Sequence, residues 1–246
     1  MHGRIPMPDL TLLQATANLL PDETARRLRA SVLEVTQARF PVVSVSQKPL
    51  DFGHNICMGD IGVNKYNIYR QLHTGLQVVE TPYVAVIDDD VLYAACHFDH
   101  RPAADIFLGE TNYWFAEDGK DYFWRVADKG IRGGMWSCIA QTETLRENLN
   151  ARFKRFPTNP LTNDSKMWWG EPGFEEGDRL YGGQGTYQRI ESPDPCVVFV
   201  HRAALGYKQL SRSYRRYGVP APENRVERVE PWGTMADLRH QYWEVE

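Results

Sequence analysis

From Leu10 to Asp90 the chain alternates short apolar runs with amphipathic periods, and this alternation constrains the fold more than any other feature. Leu10 to Ala15 reads as a first strand. Pro21, Asp22 and Glu23 open a helix, since Pro is tolerated in a first turn and acids suit the positive amino end. Ala25, Leu28, Val32 and Val35 recur at helical spacing and form its buried stripe, and Phe40-Pro41 ends it. Pro41 to Ser46 is a second strand. The stretch from Gln47 to Gly62 is rich in Gly, Asp and Asn and long for a loop in a compact domain, which marks it as functional. A second helix runs from about Lys65 to Val79, with Ile68, Leu72, Leu76 and Val79 buried and Gly75 permitting close packing. Tyr83 to Ile87, aromatic and β-branched behind Pro82, is a third strand. The order β-α-β-α-β predicts an α/β fold: a mixed, mostly parallel sheet flanked by helices and joined by right-handed crossovers.

Beyond Tyr93 the pattern changes. Asp105 to Phe115 is mixed, Tyr122 to Val126 reads as a strand, Gly130 to Gly134 as a turn, and Met135 to Ala140 as another strand. Thr144-x-x-Glu147 has the form of a capping box opening a helix with Leu145, Leu149 and Phe153 on one face. Phe156 to Gly185 reads as a long active-site loop region with a short helix near Glu175. Cys196 to His201 is the last clear strand, and Trp232 to Glu246 a short docking helix.

The third strand runs straight into Asp88, Asp89 and Asp90. Adjacent carboxylates at a strand end repel unless something positive joins them. Two readings stay open: a site for a hard divalent ion, which takes oxygen ligands and carries a phosphorylated molecule, or an acidic loop solvated by water. The carboxyl end of a strand in an α/β sheet is where ligands bind, which bears on the first.

The four cysteines are far apart with no Cys-x-x-Cys pair, so structural zinc and a disulfide framework are not expected, and a reducing, cytoplasmic setting fits. No apolar stretch has spanning length, so no membrane partner is expected. A net charge of -4 does not announce a nucleic-acid partner, yet Arg202 to Arg228 is locally basic with Tyr207, Tyr214 and Tyr217 interleaved. That segment reads either as a phosphate track or as a solvated surface.

The ordered parts resemble a GT-A, Rossmann-like nucleotide-sugar glycosyltransferase of the broad family-2 type. The residues that carry the resemblance are Thr16-Ala17-Asn18 closing the first strand, Asp88-Asp89-Asp90 closing the third, Gly133-Gly134-Met135-Trp136 with the Thr144 helix, and His201 after a late strand. It covers roughly residues 9 to 205, which implies a catalytic domain over 1–205 and a basic extension over 206–246 packed on it. One departure is Ser46-Gln47-Lys48-Pro49, where the family has Asp-Asp-Gly-Ser. A narrower likeness is to GT-A enzymes found beside TET/JBP-type dioxygenases in phages, which are thought to glycosylate hydroxymethylpyrimidines in DNA. It rests on Ser-Val-Ser-Gln-Lys-Pro, on Asn55 to Gly62, on Asn67 to Gln71 and on the Asp-Asp-x-Leu-Tyr block.

The resemblance implies transfer of a hexose from a nucleoside diphosphate donor, UDP-sugar above all, to a hydroxyl. Thr16, Asn18, Gln47 and Lys48 would hold base and ribose, with Arg70 either contributing or facing solvent. Asp88 is placed for the ribose hydroxyls. Asp90 and His201 would hold Mn²⁺ or Mg²⁺, with Asp88 or Asp89 assisting, and Lys208 or Arg202 would meet the departing diphosphate. Glu171 and Glu175 are the candidates for the base of an inverting reaction; in a retaining one neither has that role. His97 reads as a packed histidine before a ligand. Two other classes compete. A nucleotidyltransferase would need a Lys- or Arg-rich triphosphate loop, and Asn18 is followed instead by Leu-Leu-Pro. A binding module would hold metal and nucleotide without turnover.

Overall fold

The computed structural model describes residues 8–125, 134–159, 172, 185–200 and 222–243. It is a mixed α/β structure whose central sheet is mostly parallel and flanked by helices. The seven strands lie in the order β10-β6-β9-β4-β1-β2-β3. They are β1 (Leu10–Thr16), β2 (Val42–Ser46), β3 (His54–Cys57), β4 (Tyr83–Ile87), β6 (Ile106–Glu110), β9 (Ile139–Gln141) and β10 (Thr186–Ile190). Only β9 runs against its neighbours. The other six therefore end on one edge of the sheet.

β1 is buried along its whole length, as a central strand covered on both faces must be. Leu13, Ala15, Val43, Val45, Val84 and Val86 face helices α2 (Lys65–Leu76) and α3 (Thr142–Arg155). Leu10, Leu12, Val42, Ala85 and Ile87 face the other way, toward α1 (Asp22–Val35) and a second sheet. Gly75 of α2 lies so close to β1 that a Cβ there would sit 2.4 Å from Leu13 Cδ1. The close approach expected of that glycine is real.

The second sheet has the order β12-β8-β7-β11-β5. It is formed by β5 (Val91–Leu92), β7 (Tyr113–Glu117), β8 (Phe123–Trp124), β11 (Cys196–Val200) and β12 (Arg225–Val226). Phe115 stacks on Trp124 with ring centroids 4.4 Å apart on its inner side. A small ribbon, β13 (Arg228–Val229) with β14 (Gly233–Thr234), leads to α4 (Met235–Leu238) and a π-helical turn, Arg239–Trp243. This end docks on α1, where Arg27 donates to the Gln241 carbonyl at 3.0 Å, and on β11, where Trp243 meets Phe199 edge-on at 4.6 Å.

Several expectations need correction. α1 stops at Val35, short of Phe40-Pro41, because Gln37 and Ala38 turn left-handed (φ 51° and 47°). α2 ends at Leu76, and its buried side is carried by Tyr66, Tyr69, Gln71, Leu72 and Leu76, with Ile68 only partly covered. The supposed loop after β2 contains the edge strand β3. Met135–Ser137 is a 3-10 turn, not strand, and β9 begins at Ile139. α3 starts two residues early, at Thr142, with no side-chain cap, so Thr144-x-x-Glu147 is not a capping box. The capping box belongs to Thr234 and Asp237 at α4. β10 had no counterpart in the sequence reading. The four cysteines are free thiols, and among the described residues no helix is long and apolar enough to cross a membrane.

Candidate functional site

The chain moves from β1 outward to β2 and β3, then crosses back to place β4 on the other side of β1. The order reverses at the carboxyl ends of β1 and β4, which in α/β sheets is the mouth of a ligand crevice. Register brings Gln14 opposite Ile87, so Thr16 and Asp89, two residues further along each strand, face each other at that mouth. The Thr16 hydroxyl donates to Asp89 Oδ2, closing the seam. The same hydroxyl oxygen accepts the Asn18 N–H at 2.9 Å.

Asn18 then reaches the neighbouring strand. Its backbone is left-handed (φ 54°), a conformation Asn tolerates better than most residues. Its Oδ1 accepts the N–H groups of Gln47 at 3.0 Å and Lys48 at 2.9 Å. Gln47 holds the next layer: its Nε2 donates to the Gly62 carbonyl at 3.0 Å, and its Oε1 accepts from Ile61 N–H at 3.3 Å. Asn67 donates to the Ile61 and Gly62 carbonyls. The ends of β1 and β2 and the loop before α2 are thus joined by side-chain amides. Lys48 is exposed at this rim. Arg70 is exposed too, with Nη1 3.5 Å from Asn67 Oδ1.

The structure therefore gathers Thr16, Asn18, Gln47, Lys48, Asp88, Asp89 and Asp90 on one edge, with Arg70 beyond Asn67. It shows the side chains of Thr16, Asn18 and Gln47 engaged with the protein itself. Glu171, Glu175, His201 and Lys208 lie outside the described residues, as do Arg202, Trp168 and Trp169.

Asp88, Asp89 and Asp90 are partly buried. Burial raises the Asp88 carboxyl well above its usual range, and the charges of Asp90 and Asp89 add to that. Asp88 Oδ1 accepts the Asp89 N–H at 2.9 Å. The donor set is all oxygen, crowded and mutually repelling, which fits a hard divalent cation. Among the described residues no group of three or more Asp, Glu, His or Cys side chains is arranged to hold a metal ion; the further ligand expected from the sequence, His201, lies outside them.

Four supporting residues had no role assigned from the sequence, although Asn55, Gln71 and Tyr93 fall within the blocks of the narrower likeness. Gln71, fully buried on α2, donates to the Thr16 carbonyl at 2.7 Å and the Val45 carbonyl at 2.9 Å, pinning β1 to β2 below the crevice. Asn55 of β3 donates to Ser44 Oγ and Ser46 Oγ at 3.0 and 2.9 Å. Arg29 of α1, half-buried against Phe52, senses the Asp89 charge. Tyr93 sits under the acids. Gln71 is visible as a polar break in the buried side of α2, but its partner is not readable from the sequence.

His97 is packed, as expected. It is fully buried between Tyr93 and Phe98, with Nδ1 3.4 Å from Glu110 Oε2. Glu110 ends β6 and is equally buried. It accepts from Thr111 N–H, Asn112 N–H and Ser192 N–H at 3.0, 2.8 and 3.1 Å, and from Ser192 Oγ at 2.5 Å.

Fold and site together define a mixed α/β protein with an acidic turn at the reversal point of its sheet. No family model and no curated protein matches the sequence. Solved structures share part of the architecture. A glycosyltransferase involved in glycosylation of the major capsid of PBCV-1 aligns at TM-score 0.42 and 13% identity, over 85% of this chain and 100% of that one. Staphylococcus aureus TarS 1–349 in complex with UDP-GlcNAc aligns at 0.43 and 11%, over 80% and 60%. The bifunctional IspDF of Campylobacter jejuni aligns at 0.42 and 14%, over 76% of this chain but only 50% of that one. At those scores the likeness identifies neither a family nor a substrate.

Proposed function

We propose that the chain is a metal-dependent glycosyltransferase that moves a sugar from a nucleoside diphosphate donor, UDP-sugar first, to a hydroxyl. The observation that carries this reading is the Thr16–Asp89 bond across the seam between β1 and β4. It brings the end of the first strand and the acidic turn into one crevice, as the resemblance requires.

In this reading Asn18 shapes the turn at Gln47 and Lys48 that receives base and ribose, and Thr16 aims Asp89. Asp88 accepts from the ribose hydroxyls. Asp90 and His201 hold Mn²⁺ or Mg²⁺, and a divalent ion there supplies Lewis acidity toward the diphosphate oxygens. Lys208 adds positive charge at the leaving group, and Arg70 lies at the edge of the donor pocket. Glu171 or Glu175 takes the acceptor proton.

For the acceptor we propose the hydroxymethyl group of a pyrimidine in DNA. The basic segment from Arg202 to Arg228 supports it, since such a segment suits phosphate contacts. The test is incubation with labelled UDP-sugars and Mn²⁺ against hydroxymethylated DNA, unmodified DNA and simple sugars. Label in hydroxymethylated DNA alone is expected. Label only in simple sugars would remove the DNA acceptor, and no metal-dependent UDP release with any donor would remove the transferase reading.

A further inference from the structure

Tyr93 is fully buried directly behind the acidic turn. Its phenol oxygen accepts the Asp88 N–H at 2.8 Å, and its hydroxyl proton goes to the Trp136 carbonyl at 2.7 Å. One atom therefore bridges two segments distant in sequence: the first residue of the acidic turn, and the 3-10 turn Met135–Ser137 that leads into β9. The ring is held from three sides, by His97 at 5.5 Å, Phe98 at 5.5 Å and Trp136 at 6.2 Å between centroids.

Both partners are backbone groups, and among the described residues neither is paired within a strand ladder. Asp88 lies just past the last residue of β4, and Trp136 precedes β9. A buried N–H or carbonyl left unpaired costs about 1–3 kcal/mol. The Val86 N–H donates to the Cys138 carbonyl at 2.8 Å and joins β4 to this segment; the Tyr93 hydroxyl extends that link to the two turns themselves.

We infer that Tyr93 is a positioning residue, which locks the acidic turn and the Met135–Ser137 turn into one rim of the crevice. If the proposed function holds, this rim sets the donor-binding acids against Gly134-Met135-Trp136, the segment that also carries the resemblance. That consequence rests on the transferase reading; the lock itself does not.

The test is hydrogen–deuterium exchange of the full chain, wild type and Tyr93→Phe, followed in peptides covering 84–94 and 134–141. Without ligand, the variant should exchange about tenfold faster at Asp88 and at Ser137–Cys138, while β2 and β3 peptides stay unchanged. Unchanged exchange at 137–138, or an equal rise throughout the protein, overturns the lock. A 3-fluorotyrosine placed at position 93 keeps the shape and strengthens donation; it should slow exchange at 137–138 and covers the case in which the phenylalanine variant does not fold. Adding UDP with Mn²⁺ separates the two claims. In wild type both peptides should gain protection together, and in Tyr93→Phe only the acidic turn should. No protection in wild type would count against the donor site, while the ligand-free comparison still decides the role of Tyr93.

Discussion

Carboxylates lie at the ends of β6 and β4, parallel strands of one sheet separated by the antiparallel β9, and the two sites are built in opposite ways. Glu110, closing β6, is saturated: three backbone N–H groups, the Ser192 hydroxyl and His97 all converge on it. Burial alone would raise its carboxyl, but the hydrogen bonds of His97, Ser192 and Asn112 outweigh that and hold it below the usual range. Asp88, closing β4, is pushed the other way by burial and by Asp90 and Asp89. A saturated buried acid anchors chain segments. A buried acid beside two other acids resists ionisation, and perturbed carboxyls of that kind mark candidate functional sites.

The comparison can be broken at four points. The largest effect belongs to Asp90→Ala, which should lower metal-dependent UDP release from a UDP-sugar by about 10³-fold while leaving the melting temperature within a few degrees. Next is Glu110→Gln, expected to cost about 1–3 kcal/mol in denaturant unfolding, because donors aimed at a carboxylate meet an amide. Its pH dependence has a definite sign. A depressed carboxyl stabilises above its unfolded pKa of about 4.3 and loses that stabilisation as pH falls through its folded value. The gap between wild type and variant should therefore close in acid.

Thr16→Val should reduce turnover about tenfold, since it removes the hydroxyl that aims Asp89, whereas Thr16→Ser should retain most of it. The smallest effect is Asp88→Asn in metal-free protein, a rise of about 2 °C in melting temperature. Here the sign is reversed. A raised carboxyl destabilises once it is ionised, and the penalty fades as pH falls below its folded pKa. Opposite pH trends at Glu110 and Asp88 would uphold the contrast; parallel trends would break it.

The sequence made the first half of the sheet legible and much of the second half not. β1, β2 and β4 are apolar runs, and α1 and α2 carry periodic stripes between them, so local pattern was enough. β3 was hidden because His54-Asn-Ile-Cys57 is an edge strand with partly exposed residues, tied down by the Asn55 amide. β10, mostly exposed, was hidden for the same reason. The second sheet depends on pairs such as β7 with β11, far apart in sequence, and on two-residue strands that have no period to read. In the site, the acids and Thr16-Ala17-Asn18 announced themselves. The roles of the residues that hold them, Tyr93 and Gln71, were not legible even though both fall in the blocks of the narrower likeness, because a buried polar side chain shows its meaning only through its partner.

The most direct test of the acidic crevice is calorimetric titration of UDP into the full chain, with and without Mn²⁺, for wild type and Asp90→Ala. The account predicts that Mn²⁺ tightens UDP binding to wild type at least tenfold, about 1.4 kcal/mol, and does nothing for the variant. Equal affinity in all four titrations would contradict it.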